Sequence, residues 1–304
     1  MKDYIEHYYD INIKNISRAN DKYYFSSSQA KYIFEEFKGD IKQVEKKNVL
    51  IHNYLPKESP YHILIPNKSK SLITSIGEKN YILLKVKEFD KTKITLSELK
   101  YNTFINEKEW QEFNRFNWVD LWQKKIDHYE EHIYSKTASF YANLTCFNYF
   151  IGLAENAITY VGKALKTEPK TPLDKLVLSH EKMSIELTLE EYYNPVYIMV
   201  DHKVRNISEF IKSSFVSGNY DLDLIEKQLE EIDLSKLGVS LFIGRLLFPN
   251  FYFDNLGYAI HHQKMEEFRK LEKRANEYQL FITDIYLLMK NKYGIDEIKW
   301  LEKR

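Results

Sequence analysis

The chain has little with which to bend, staple or charge itself. Among 304 residues there is one cysteine, Cys146, with 9 glycines and 7 prolines, and 44 Lys and Arg balance 44 Asp and Glu. One cysteine excludes an internal disulfide framework and fits a reducing compartment. Its apolar and aromatic neighbours mark Cys146 as a buried structural thiol rather than a nucleophile. Zero formal net charge removes the global field that draws proteins to nucleic acid or an anionic membrane. There is no long Gly- or Ser-rich linker, no low-complexity tract and no solenoid-period repeat. The segment Met1 to Glu6 lacks the apolar core of a secretory signal, so synthesis in the cytoplasm is expected. The longest apolar stretch, Ala138 to Leu165, is interrupted by Asn143, Asn148, Glu155 and Asn156. It falls short of the ~20 uninterrupted apolar residues of a spanning helix, and membrane insertion is not expected.

What the chain has in quantity is aromatic side chains, 24 Tyr and 18 Phe. These suit half-buried core positions and association surfaces. The length exceeds one ordinary hydrophobic core and implies two lobes. The first 90 residues read as strand-rich. Ile11 to Ile16, Tyr23 to Phe25 and Lys31 to Phe37 form a meander turning at Ala19–Asp21. A helix over Asp40 to Tyr54 follows, then strands over Tyr61 to Pro66, Ser71 to Ile76 and Asn80 to Phe89, with Gly77 in the last turn. From Leu96 the periodicity is helical: Glu107 to Tyr134, Phe140 to Leu165, Ile207 to Phe215, Leu222 to Ile232, Val239 to Phe248 and Leu256 to Met289. The plan is α+β and bilobal: residues 1–90 as a β-rich lobe with one helix, and 91–304 as a helical lobe. The boundary is expected near Glu88 to Thr95.

Two short apolar runs interrupt the helical half, Leu176 to Leu178 ending on Ser179-His180-Glu181-Lys182, and Tyr197 to Val200 ending on Asp201-His202. Adjacent strands that stop on titratable residues are how kinase-like folds present a general base and a metal-binding carboxylate. Read without further context, Asp201 is a capping carboxylate, His180 a hydrogen-bonded core histidine, and Arg205 an ion-pair partner of Asp201 or Glu209.

Four ordered blocks carry a resemblance over most of the chain: Asn148 to Ile158, Ser179 to Lys182, Asn194 through Asp201 to Glu209, and Gly244 to Phe253. They resemble the YutH family of spore coat-associated proteins, relatives of the CotS-type coat proteins, which look like aminoglycoside phosphotransferase and choline kinase folds. The resemblance implies a bilobal kinase-like fold, association with the spore coat and other coat proteins, and no established catalytic activity. It also implies where a site would lie. Active members of the wider superfamily end the first motif strand on His-Gly-Asp, with the Asp as base. Here the position falls on Lys182 or Glu181, depending on register, so His180 and Glu181 are the catalytic candidates. Asp201 matches the magnesium-binding carboxylate, and Arg205 a family arginine that would face the cofactor. On the third strand Glu35 stands where a lysine holds nucleotide phosphates, with Lys31 and Lys38 at either end. The first turn, Ser17 to Asp21, has no glycine for a phosphate cradle.

The favoured expectation is a pseudokinase with a structural or scaffolding role and no cofactor. The alternative is a divergent small-molecule or protein kinase using Mg-ATP with Glu181 and Asp201. A third reading comes from His128-Tyr129-Glu130-Glu131-His132, which fits an inverted zinc-peptidase signature with Glu131 as base and Glu209 as third ligand. His261, His262 and Glu266 also have metal-compatible spacing, which polar residues on the outer face of a helix explain equally. The aromatic run from Phe248 to Tyr258 is the expected exposed association surface.

Overall fold

Asn20 and Asp21 set the register of the first hairpin of the β-rich lobe. Both take positive φ, +48° and +61°, the two-residue hairpin turn whose twist matches its strands. It pairs β1 (Asn15–Ala19) with β2 (Lys22–Ser26) through Ala19 opposite Lys22. The computed structural model describes residues 1–28, 30–56, 58–87, 92–100, 105–134 and 146–302, with backbone only at Lys100 and 132–134. β3 (Lys31–Phe37) continues the meander. β4 (Ile63–Leu64), β5 (Thr74–Ile76) and β6 (Lys79–Val86) complete a six-stranded sheet, in which β3 and β4 both flank β6.

The sheet has six strands, as many as the segments read as strands, and two helices pack on it rather than one. α1 (Lys2–Tyr8) covers one face through Ile5, joined by Tyr9 and Ile13 against Phe25, Phe34, Tyr81 and Leu83. α2 (Ile41–Tyr54), capped by Asp40, covers the other with Val44 against Ile33, Phe37, Leu84 and Val196. Ile13 therefore belongs to the α1 side of the core and not to a strand over Ile11 to Ile16. The true edge strand, β1, is exposed along its whole length, so no apolar alternation marks it.

The helical lobe contains α3 (Trp118–His128), a π-turn over Tyr129–Tyr134, α4 (Phe147–Thr167), strand β7 (Leu176–His180), the short α5 (Leu189–Tyr192), strand β8 (Ile198–His202) and α6 (Val204–Ser217). Then come α7 (Leu222–Glu230), α8 (Lys236–Leu247), α9 (Asn250–His262), α10 (Met265–Glu272), α11 (Ala275–Tyr293) and α12 (Lys299–Glu302). α8 is buried from Leu237 to Leu247 and forms the axis of this lobe. A Cβ on Gly244 would fall 2.2 Å from Val161 Cγ2, so glycine is what lets α8 lie against α4.

Two long helical expectations are broken into shorter pieces. Between Glu107 and Tyr134 the chain leaves the helix at Asn114, where Arg115 N–H donates to Val200 O at 2.8 Å and ties this segment to β8. Between Leu256 and Met289, Gln263 enters the left-handed region at φ +57° and ends α9. The segment from Phe248 to Tyr258 is core, not surface: Phe248 stacks on Trp122 at 4.4 Å and Tyr252 on Phe150 at 4.0 Å. Tyr258 alone among its aromatics is exposed. No helix among the described residues is long and apolar enough to cross a membrane.

Candidate functional site

β7 and β8 pair antiparallel, with Val177 opposite Asp201 and Leu176 opposite His202. β7 is buried throughout because its apolar residues face Trp110, Phe113 and Tyr61. This two-stranded ribbon delivers His180, Glu181, Asp201 and, in the first turn of α6, Arg205 to one neighbourhood. Arg205 makes the junction. It donates to His180 O at 2.5 Å and Glu181 O at 2.9 Å, and its Nε lies 3.3 Å from Asp201 Oδ2.

Asp201 is sealed. It is 1% exposed, and Trp118 Nε1 donates to Oδ1 at 2.9 Å and Oδ2 at 3.2 Å while His202 N–H donates to Oδ1 at 2.7 Å. Burial raises its pKa above the usual carboxylate range, against the pull of Arg245 and Arg205. Arg245, from α8, stacks over the Trp118 ring at 4.6 Å and donates to Glu209 Oε1 at 2.8 Å. Lys212 lies 3.3 Å from the same oxygen and donates to Phe248 O and Asn250 Oδ1, while Asn250 Nδ2 donates to Glu209 Oε2. Burial pushes Glu209 up, but Lys212 and Arg245 outweigh it and hold its pKa at about 2. Burial, with Arg245 adding to it, brings Lys212 down to about 8.

His180 turns inward, with Nδ1 3.0 Å from Lys182 O, and burial lowers its pKa to about 4. The neutral ring lies among Tyr192 and Tyr197. Glu181, in contrast, reaches a cavity of about 460 Å³ between the two lobes. Lys47 of α2 donates to Glu181 Oε1 at 3.0 Å and to Val196 O at 2.8 Å.

The same cavity contains Glu35 of β3. Its oxygens accept from Asn194 Nδ2 at 2.7 Å and face Lys22 Nζ at 3.2 Å, and Lys22 also lies 3.7 Å from Glu191. Burial would lower the Lys22 pKa, yet the two glutamates outweigh it and raise it. Protein kinases pair a β3 lysine with a glutamate on the helix that follows. Here the polarity is exchanged, with Glu35 on the strand and Lys47 on the helix, each satisfied by a different residue of the β7–β8 connection. Lys47 is the residue that sequence reading missed. A lysine inside the apolar face of α2, between Val44 and Ile51, was the available signal.

A magnesium nucleotide needs a carboxylate open to the cleft and cations for the phosphates. Asp201 has its oxygens engaged and two guanidiniums beside it, so a divalent cation does not fit there. Five carboxylates, Asp21, Glu35, Glu36, Asp40 and Glu181, line the interlobe cavity alongside Lys22, Lys38, Lys47 and Lys182. A second slot of about 380 Å³ is lined by Ile16, Tyr24, Ile33 and Val86 together with Lys31, Lys87 and Glu190.

For the zinc reading, the His132 side chain lies outside the described residues. His128 closes α3 where the backbone changes to a π-turn, which alters the period that brings residues four apart together. Glu209 has both oxygens engaged. Among the described residues no group of three or more His, Cys, Asp or Glu could hold a metal ion. Cys146 is only half-buried, packing at the edge of the helical core.

The comparisons with known proteins agree with one another. A family model described as "Spore coat putative kinase YutH" matches residues 2–284. The endospore coat-associated protein YutH of Bacillus subtilis (strain 168) is 27% identical over 150 residues. These are 45% of this chain and 44% of that protein, so the match spans less than half of the relative. An aminoglycoside phosphotransferase from Alicyclobacillus acidocaldarius superposes with a TM-score of 0.62 at 10% identity, over 96% of this chain and 97% of that one. A spectinomycin phosphotransferase in complex with ADP and spectinomycin gives 0.53 at 17% identity, over 90% and 92%. At such identities the likeness is one of fold: bilobal, α+β and kinase-like.

Proposed function

The chain belongs to the spore coat YutH family, and from that premise we propose that it is a coat-associated kinase-fold protein that transfers no phosphate and serves a structural or scaffolding role among other coat proteins. The lobes divide near residue 90, between β6 and the segment leading to α3. The observation that carries the reading is the exchanged polarity of Glu35 and Lys47. A carboxylate on β3 repels the phosphates that a lysine there would hold, and the lysine on α2 is engaged by Glu181 and Val196 O.

The C-terminal end of β7 offers no alternative base in working order. His180 is buried and neutral, and the Glu181 carboxylate faces a lysine rather than an open acceptor position. The slot beside Tyr24 and Ile33 would still receive a nucleobase, so loss of phosphate affinity, not of all nucleoside affinity, is the distinguishing mark. The test is calorimetric titration of the full chain with adenosine, ATP and Mg-ATP, together with a γ-phosphate transfer assay on a purified coat extract. ATP binding no tighter than adenosine, with no transfer, is the expected result. Mg-ATP binding that exceeds adenosine and is lost in Asp201→Asn would overturn it in favour of a divergent kinase using Glu181 and Asp201.

A further inference from the structure

Asp201 keeps the residue type of a metal-binding carboxylate, but what surrounds it is a set of cations built into the chain. Its Oδ1 accepts from Trp118 Nε1 and His202 N–H, and its Oδ2 lies 3.3 Å from Arg205 Nε. The remaining nitrogens of Arg205 run to His180 O, Glu181 O and Asn206 Oδ1. We propose that Arg205 is the resident cation of this position: its guanidinium fills the space a divalent ion would take and cross-links the ends of β7 and β8, leaving a cation site that is latent and opens only when Arg205 is removed. This deepens the reading above and rests on it only for the absence of catalysis.

Three observations support the assignment. The first is directional. A hard cation requires several oxygen ligands and water around it, whereas the groups aimed at Asp201 are N–H donors. The second is charge. Arg205, Arg245 and Lys212 stand against Asp201 and Glu209, so the buried cluster already has a surplus of positive charge, and a dication added to it would meet repulsion in a medium of low dielectric. The third is access. Trp118 is 2% exposed and lies over Asp201, with Trp122 stacked on it at 5.5 Å and Arg245 on it at 4.6 Å. A hydrated ion has no path to the carboxylate from the Trp118 side. Removing the guanidinium removes both the donor and one repelling charge, and leaves Asp201 Oδ2 with only the longer Trp118 contact at 3.2 Å, beside the carbonyls of His180 and Glu181, which are ligands of the kind a hard cation takes.

The experiment uses Mn²⁺ as probe with the full chain, following free Mn²⁺ by electron paramagnetic resonance and quenching of tryptophan fluorescence, which Trp118 reports from hydrogen-bond distance of Asp201. Wild type is expected to bind no stoichiometric Mn²⁺ up to about 1 mM, the weak end of protein cation sites. Arg205→Ala is expected to bind one, at least about tenfold more tightly than wild type, and Arg205→Ala with Asp201→Asn to lose it. Should Arg205→Ala be unfolded in buffer, recovery of its circular dichroism on adding Mn²⁺ is the expected outcome, and no recovery overturns the proposal. Arg205→Lys, which retains a cation, is expected to fold and bind none. Stoichiometric Mn²⁺ on wild type that Asp201→Asn abolishes also overturns it. ATP binding tighter than adenosine, with γ-phosphate transfer, by wild type that holds no Mn²⁺ at Asp201 would sink the non-catalytic reading and leave the cation assignment standing, so the two failures are separable.

Discussion

In the reading we propose, Glu35 and Asp201 are the phosphate end and the metal end of one kinase-like site, and each would depart from phosphoryl-transfer chemistry by a different route. At the phosphate end the residue type has changed while the setting remains that of a cleft: Glu35, Lys22, Lys47 and Glu181 line a common cavity and hold one another in pairs. At the metal end the residue type is kept while the setting has closed, since Asp201 is enclosed by Trp118, His202 and Arg205. A motif residue can therefore be lost where the geometry survives and survive where the geometry is lost. The two ends also differ in cost. Pairs in a cleft are partly relieved by water, whereas each charge of the buried cluster depends on its partners for the solvation it gave up.

The largest effect should come from breaking the closed end. Arg205→Ala leaves Asp201 buried without its cation and two strand-end carbonyls without their donor. Loss of about 3–5 kcal/mol of unfolding free energy is expected, the range for removing one partner of a buried pair. Urea denaturation read by near-ultraviolet circular dichroism measures it. A loss below about 1 kcal/mol, the range of an exposed pair, would mean that the cluster is solvated and that the contrast between the two ends is false.

The difference between the ends also explains what could be read in the residues. β3 and the β7–β8 pair were legible because apolar residues bounded by polar ones allow few alternatives there. β1 was not, because an edge strand exposed along its length has no burial pattern, and Ile11 and Ile13 offered a better alternation for a core that belongs to α1. The break at Asn114 was hidden as well, since its cause is a hydrogen bond to Val200, distant in sequence. At the site, the carboxylate of Glu35 inside β3 was visible in the strand pattern. The enclosure of Asp201 was not, because Trp118 and Arg245 come from α3 and α8 and only packing brings them to β8.

Acid should reach the closed end next. Burial holds the folded His180 pKa at about 4 against an ordinary 6.5, so the unfolded chain takes up the proton first. The stabilisation is fully present above pH 6.5 and is lost as pH falls toward 4, a change of about 3 kcal/mol from this residue. Unfolding free energies measured at pH 7, 6 and 5 should fall with acid. The slope should be shallower in His180→Gln, with His62, also brought to about 4 by burial, supplying a remaining part. An unchanged slope in His180→Gln would place the acid sensitivity elsewhere.

At the open end the effects should be smaller. Lys47→Ala strips the buried Val196 carbonyl of its donor but leaves Glu181 with water to turn to, its side chain being 40% exposed. About 1–3 kcal/mol is expected, the desolvation cost of one unpaired buried group. Lys47→Met should recover part of it by filling the same volume. If Lys47→Ala costs as much as Arg205→Ala, the cleft pair is as enclosed as the buried cluster and the distinction between the two ends fails.

The smallest effect should come from a contact that joins the same lobes on the outside. Lys46, next to Lys47 on α2, donates to both oxygens of Glu112 at 2.7 and 2.8 Å, with side chains 54% and 55% exposed. Its geometry is as good as that of Lys47 with Glu181, so a purely geometric account predicts similar values for the two. Water decides otherwise: an exposed pair exchanges hydration for a weak, salt-screened attraction and orders two long side chains, and such pairs contribute about 0–1 kcal/mol. A double-mutant cycle with Lys46→Ala and Glu112→Ala should give a coupling in that range that vanishes in about 1 M salt, where the screening length is about 3 Å. The corresponding cycle for Lys47 and Glu181 should retain most of its coupling. Equal salt sensitivity of the two cycles would show that enclosure of Lys47 does not set the strength of the contact between the lobes.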